Sequence, residues 1–249
     1  MRFIIELAYN GKAYHGWQIQ PNAVTIQEVI EKALSTLLSD KISVVGAGRT
    51  DTGVHASQMY AHFDYNKSID NEQLTYKLNS LLPSDISILN LFEVNTDAHA
   101  RFDAISRTYH YRICTSKDVF EYDFSYALHL PLDIKKMNDA ADVLLTYSDF
   151  QCFSKSNTDV KTYNCNIKEA IWSQQGNMIT FVITADRFLR NMVRAIVGTL
   201  IEIGLHKRDI DDLREIIKSK NRSNAGYSVP AHGLFLTRIE YPQSIMKTK

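Results

Sequence analysis

Residues Gly46–Ala56 read GAGRTDTGVHA, and the segments on either side of this stretch decide the fold. Upstream, residues 42–46 (ISVVG) form a short apolar run with the character of a buried strand. Downstream, Met59, Ala61, Phe63 and Tyr65 alternate with Gln58, His62 and Asp64, which is strand periodicity. The glycine loop therefore runs strand to strand. Phosphate-binding and dinucleotide-binding loops need a helix amino end behind glycines of a different spacing, so both are excluded. A solvated turn accounts for the glycines and for Asp51. It does not account for Arg49, two residues earlier. The alternative is a carboxylate on a tight backbone, kept ionised by a neighbouring guanidinium and able to act as nucleophile or base.

The chain around the loop repeats one order of elements. Phe3, Ile5, Leu7 and Tyr9 share a face of an N-terminal strand that ends at the Asn10-Gly11 turn. Thr25–Glu28 (TIQE) is a capping box opening a helix to about Leu38, with Ile26, Val29, Ile30, Ala33, Leu34 and Leu37 on one face. Asp70 caps a second helix that Pro83 keeps from extending, and ISILNLFEV (86–94) is a further strand. This is β-α-β-β-α-β. In the second half RTYHYRI (107–113) is a strand, Asp133 opens a helix through Leu145, and a hairpin turns at Gln175-Gly176-Asn177. A helix spans Phe188–Gly204, an extra one covers about Asp209–Lys218, and LFLTRIEY (234–241) is the last strand. The polar stretch Tyr147–Asn164 reads as a long surface loop. The expectation is an α+β protein of two ferredoxin-like (RRM-like) halves, residues 1–105 and 106–249. They join in one mixed, mainly antiparallel sheet, with helices on one face and a cleft between the halves. The other sheet face would be open to a large ligand, as in RNA-binding sheets.

Composition narrows the class. Of 249 residues, 45% are hydrophobic and 22% charged, which is ordinary for a globular protein. No apolar run approaches the ~20 residues of a membrane span. MRFIIELAYN is too short and too soon acidic for a secretory signal, which points to the cytoplasm. Cys114, Cys152 and Cys165 lack paired spacing and read as reduced thiols, and the eight histidines form no metal motif. Twenty-eight basic residues balance twenty-eight acidic ones. If the partner is a nucleic acid, the cations must gather on one face.

GAGRTDTGVHA resembles the catalytic signature of the TruA family of tRNA pseudouridine synthases. Four more blocks resemble that family in the same order: YNGKAYHGWQIQ (9–20), HARFDAISRTYHY (99–111), FLRNMVRAIVG (188–198) and AGYSVPAHGLFL (225–236). Together they cover nearly the whole chain. The resemblance implies an isomerase that detaches a uridine from its ribose, turns it and rejoins it through carbon. Its targets would be positions 38, 39 and 40 of the tRNA anticodon stem-loop. It implies a homodimer that uses no metal or other cofactor.

The resemblance also assigns residues. Asp51 becomes the catalytic carboxylate, attacking the anomeric carbon or removing the neighbouring ribose proton to give a glycal. Arg194 becomes its cationic partner; by periodicity alone it lies on a solvated stripe with Arg187 and Arg190. Arg49 helps extrude the target base, which costs roughly a few kcal/mol of unstacking. Tyr109 stacks on the uracil, and its hydroxyl is placed to move a proton. Tyr111 shares its face and reads as core. Leu234 packs on the base edge. His99, Arg101, Arg107 and Trp17 are expected to meet tRNA, and His55 serves either the backbone or binding. The chain departs from the family at Cys165, where an arginine is usual; Lys155, Lys161 or Lys168 would replace that contact.

Two other readings stand beside this one. A non-catalytic RNA-binding protein of doubled RRM-like fold would need aromatics but no ionised aspartate. A glycosidase-like enzyme would need a second carboxylate, and none stands out near the loop.

Overall fold

The computed structural model describes residues 1–156 and 160–245. Among them lie nine strands and five α-helices in a mixed α+β arrangement. The strands are β1 (Arg2–Tyr9), β2 (Val45–Gly46), β3 (His55–Asp64), β4 (Ile86–Val94), β5 (Ser106–Cys114), β6 (Tyr126–Ala127), β7 (Ile167–Gln175), β8 (Met178–Ala185) and β9 (Leu234–Glu240). The helices are α1 (Ile26–Leu38), α2 (Asn71–Leu81), α3 (Ile134–Leu144), α4 (Met192–Gly204) and α5 (Ile210–Ser219). The chain divides into two compact units, Met1–Ile105 with Leu236–Lys249, and Ser106–Phe235.

In the first unit β4, β1 and β3 are neighbours and β2 pairs with β3, all antiparallel. Phe3, Ile5 and Leu7 of β1 are buried, as are Met59, Ala61 and Phe63 of β3. Phe3 stands opposite Phe63, and the two rings stack with centroids 5.5 Å apart. Both helices open on the expected N-cap residue, α1 through the Thr25 half of its capping box. The Thr25 hydroxyl accepts from the Glu28 N–H, and the Asp70 carboxylate from the Gln73 N–H. Ile26, Ile30 and Leu34 of α1 are fully buried, while Val29 and Leu37 lie at the margin. The strand expected over 42–46 is reduced to Val45–Gly46, with the Val45 side chain 42% exposed.

The opposite face of this unit's sheet is partly covered. Ile4, Val94, Ala98 and Ile245 form a second apolar cluster flanked by Tyr60, Phe92 and Tyr241. Arg2 ties it down by a two-pronged pair with Asp64, both contacts at 2.8 Å, and a bond to the Ala98 carbonyl. The face expected from the sequence to be open is thus partly covered here, by the segments that carry Ala98 and Ile245. Apolar Ile4, on the solvent side of an alternating strand, is the cause.

In the second unit β8 pairs with β5 and β7, antiparallel, and β6 adds a short parallel pair to β5. Tyr111, Phe181 and Trp172 are in register across the three strands, and Trp172 stacks on Phe181 at 4.6 Å. Helix α3 packs on β7, α4 and α5. Helix α4 is buried almost all round, its intermediate positions being Arg194 and Glu202.

Two expectations fail in this unit. Helix α4 begins at Met192, not Phe188, because Asn191 adopts a left-handed backbone at φ 67° and breaks the helix. Arg187 and Arg190 therefore share no helical stripe with Arg194. The stretch 147–164 is only in part a surface loop over its described residues: Ser148, Lys155, Ser156, Lys161, Thr162 and Asn164 are exposed. Phe150, Cys152 and Phe153 are fully buried, and Phe150 and Cys165 bond back to the carbonyls of Tyr163 and Ser148; residues 157–159 of that stretch lie outside the described residues.

Candidate active site

The loop carrying Asp51 is gripped by the segment between β1 and α1. The Tyr9 hydroxyl and Thr50 Oγ1 are hydrogen-bonded at 2.9 Å, both buried. The Gly11 N–H donates to His55 Nδ1 at 3.1 Å. The Trp17 N–H donates to the Thr50 carbonyl, and the Gly53 N–H to the Tyr14 carbonyl. Inside the loop the Val54 N–H donates to the Asp51 carbonyl at 3.1 Å. Gly16 makes the close approach possible: its φ is +85°, and a Cβ there would lie 2.4 Å from the Thr50 carbonyl oxygen. The gripping segment is itself anchored, with the Tyr14 hydroxyl donating to Asp85 Oδ1 at 2.6 Å and the Asn10 N–H to the Asp85 carbonyl. Burial, and then the hydrogen bond to Asp85 and its charge, push the Tyr14 phenol well above its ordinary pKa. Tyr14, Gly16 and Asp85 escaped the reading of sequence; the signal lay in the YHGWQ block, whose close packing on the loop has no periodicity.

Asp51 is half-buried and Arg49 exposed on this pinned backbone. A carboxylate so placed can add to an electrophilic carbon or take a proton without a costly rearrangement of its loop. Trp17 is 1% exposed, and its indole fills the space that a Cβ at Gly46 would need. It offers no ring face to RNA; it is a floor for the loop. His55 is also 1% exposed. Its Nδ1 accepts a backbone N–H, so it serves the loop rather than a ligand.

His99 and Arg101 stand on another turn of the same unit. His99 Nδ1 accepts the N–H groups of Arg101 and Phe102, and His62 Nδ1 accepts that of Ala100. His62 is 5% exposed, and burial first, then the charges of Arg2 and His99, push it down to about 4. It is neutral in the native protein, whereas the unfolded chain takes up a proton near pH 6.5. The native state is therefore fully favoured above that pH and loses stability as pH falls from 6.5 towards 4. Thermal unfolding at pH 7.5 and 4.5 measures this. The His62→Asn variant, which keeps an acceptor without the titration, is expected to lose about 2 kcal/mol less over that interval; equal losses would refute it.

In the second unit Tyr109 of β5 is half-buried, its ring meeting Phe188 edge-on with centroids 5.1 Å apart. Tyr111 is fully buried and donates to the Pro230 carbonyl, as a core residue should. Arg194 lies in the first turn of α4. Its Nε donates to the Val229 carbonyl at 2.7 Å, and the Val229 N–H donates to the Arg194 carbonyl. The segment 225–229 can lie this close because Gly198 faces the Tyr227 backbone and Gly226 faces the backbone of Gly198 and Thr199. Asn191 donates from Nδ2 to Ser228 Oγ at 2.6 Å and holds the same segment. Arg107 donates to the Asp186 carbonyl across the strand pair, and Leu234, at the start of β9, is buried.

Cys165 is 2% exposed, and burial pushes its thiol up to about 12. Lys155, Lys161 and Lys168 are exposed. Among the described residues no three His, Cys, Asp or Glu side chains gather as a metal site requires, and no helix is long and apolar enough to cross a membrane.

The motif blocks thus mark segments with definite work: one carries the carboxylate, one grips it, and two hold Arg194 of α4 against the segment 225–229. A family model described as tRNA pseudouridine synthase matches residues 7–103 and 140–242. The tRNA pseudouridine synthase A of Bacteroides fragilis is 55% identical over 248 residues, covering 99% of this chain and 98% of the relative. That of Parabacteroides distasonis is 53% identical, covering 98% and 97%. The Bacillus licheniformis protein of the same name is 40% identical, covering 97% and 99%. Identity at this level along both whole lengths, with the same blocks building the loop and its supports, means that the chain belongs to the TruA family of tRNA pseudouridine synthases, isomerases that convert uridine to pseudouridine.

Proposed function

We propose that the protein isomerises uridine to pseudouridine at positions 38, 39 and 40 of the tRNA anticodon stem-loop, with Asp51 as the catalytic carboxylate. The observation that carries this reading is the Asp51 loop: a half-buried carboxylate whose flanking backbone is bonded at Thr50, Gly53 and Val54. Asp51 either bonds the ribose anomeric carbon as the base departs or takes the neighbouring ribose proton to leave a glycal. The base then turns and its carbon bonds the sugar, which breaks the bond to Asp51 in the first route or returns the abstracted proton to the neighbouring ribose carbon in the second; the proton on the attacking carbon then leaves, and the former glycosidic nitrogen takes one up.

Arg194 is assigned to keep the carboxylate ionised, Tyr109 to stack on the uracil, Leu234 to pack on its edge and Arg49 to extrude it. His99, Arg101 and Arg107 are assigned to tRNA beyond the target base. The reading includes two ferredoxin-like halves. In the first unit it is supported by the antiparallel order β4-β1-β3-β2. It also includes work in the cytoplasm as a homodimer.

Incubation with unmodified tRNA followed by mapping of pseudouridine tests the proposal. Product confined to the anticodon arm is expected; product elsewhere would overturn the substrate while leaving the reaction.

A further inference from the structure

Phe102 holds a large apolar ring in solvent, 75% exposed. Single exposed apolar residues are common and need no explanation. This one differs in its setting, with its backbone pinned and its ring packed against another. Its N–H and that of Arg101 both donate to His99 Nδ1, at 3.3 and 3.1 Å. The His99 N–H donates to Asp103 Oδ2 at 2.7 Å, and the Asp103 N–H returns to the His99 carbonyl at 3.1 Å. The His99 ring backs the Phe102 ring at 4.3 Å between centroids, tilted by 34°, and abuts buried His62 at 4.7 Å. The Arg101 guanidinium lies 5.8 Å from the Phe102 centroid. Rings therefore run from the core outward, His62 to His99 to Phe102, with the Arg101 cation over the last of them.

We infer that Phe102 is a stacking platform for an unpaired nucleobase of the tRNA substrate other than the target uridine, with Arg101 placed for that nucleotide's phosphate. A flat ring packed against another on a pinned backbone loses little entropy on binding. Every base presents a π-face, so the platform supplies affinity with little preference for sequence. The adjacent cation suits a polyanion and disfavours a purely apolar partner.

This inference rests on the proposed tRNA substrate, and the test separates the two. Phe102→Ala and Phe102→Trp are compared with the unaltered protein in tRNA affinity at fixed salt, in KM and kcat on unmodified tRNA, and in thermal midpoint. The expected result is a rise of about 5- to 100-fold in Kd and KM for the alanine variant, the loss typical of one stacked base. Its kcat should change far less, tryptophan should restore affinity, and the midpoint should be unaltered. Unchanged Kd would overturn the platform. So would a loss that tryptophan does not repair, or one that tracks a lower thermal midpoint or a halved solution mass, the last marking the ring as a contact between copies. If the unaltered protein makes no pseudouridine, the proposed function fails, and the Kd comparison still decides the platform.

Discussion

Asp51→Asn is expected to reduce pseudouridine formation by about four orders of magnitude or more, the scale on which removal of a catalytic carboxylate or nucleophile acts. The substitution changes charge and basicity while nearly preserving shape. Contacts that fix the loop at the Thr50 hydroxyl and at the backbone of Thr50, Asp51 and Gly53 are not removed by the asparagine. The loop should therefore keep its course, and tRNA affinity should stay within about threefold, as for loss of one charge among several phosphate contacts. Single-turnover assays on unmodified tRNA, with a binding titration beside them, check both halves. A normal yield would mean a protein that only binds RNA or a different catalyst. A parallel collapse of affinity would mean that the carboxylate holds the fold or the ligand rather than doing the chemistry.

Much of this was legible in the sequence because periodicity and caps are local. The alternation in β1 and β3, the capping threonine of α1 and the capping aspartate of α2 reappear with their expected partners. What stayed hidden depends on backbone conformation or on long-range contact. Asn191 sits inside an apolar periodic run, and only its left-handed backbone, φ 67°, shows that the helix starts at Met192. Phe150 and Phe153 lie in a polar stretch, and their burial depends on contacts with distant segments that no local pattern records. Ile4 breaks the alternation of β1, and the cluster it joins includes Ile245, at the far end of the chain. The candidate site divides the same way. A motif marked Asp51, whereas the anchor formed by Tyr14 and Asp85 spans 71 positions and is visible only in space.

Gly198→Ala tests the other structural claim, that two glycines set the seat of Arg194. In an exposed helix interior this change would stabilise by up to about 1 kcal/mol. Here the new Cβ would lie 1.9 Å from the Tyr227 carbonyl oxygen, backbone that cannot swing aside as a side chain would. Opposite it, the Gly226 N–H donates to Thr199 Oγ1 at 2.9 Å, so the two chains are tied where the methyl would enter. Relief requires the segment 225–229 to lift, which breaks that bond and the paired bonds between Val229 and Arg194. Overpacking of this kind costs roughly 1–3 kcal/mol, and a lost hydrogen bond about 1 kcal/mol. A net destabilisation of about 2–3 kcal/mol by chemical denaturation should result. Activity should fall further than stability alone explains, because Arg194 loses its orienting carbonyl. Gly48→Ala is the control: no atom lies within 4 Å of its added Cβ, and its stability should stay within about 0.5 kcal/mol of the unaltered protein. Should Gly198→Ala prove as stable and active as the unaltered protein, the close packing of α4 against residues 225–229 would not be what orients Arg194.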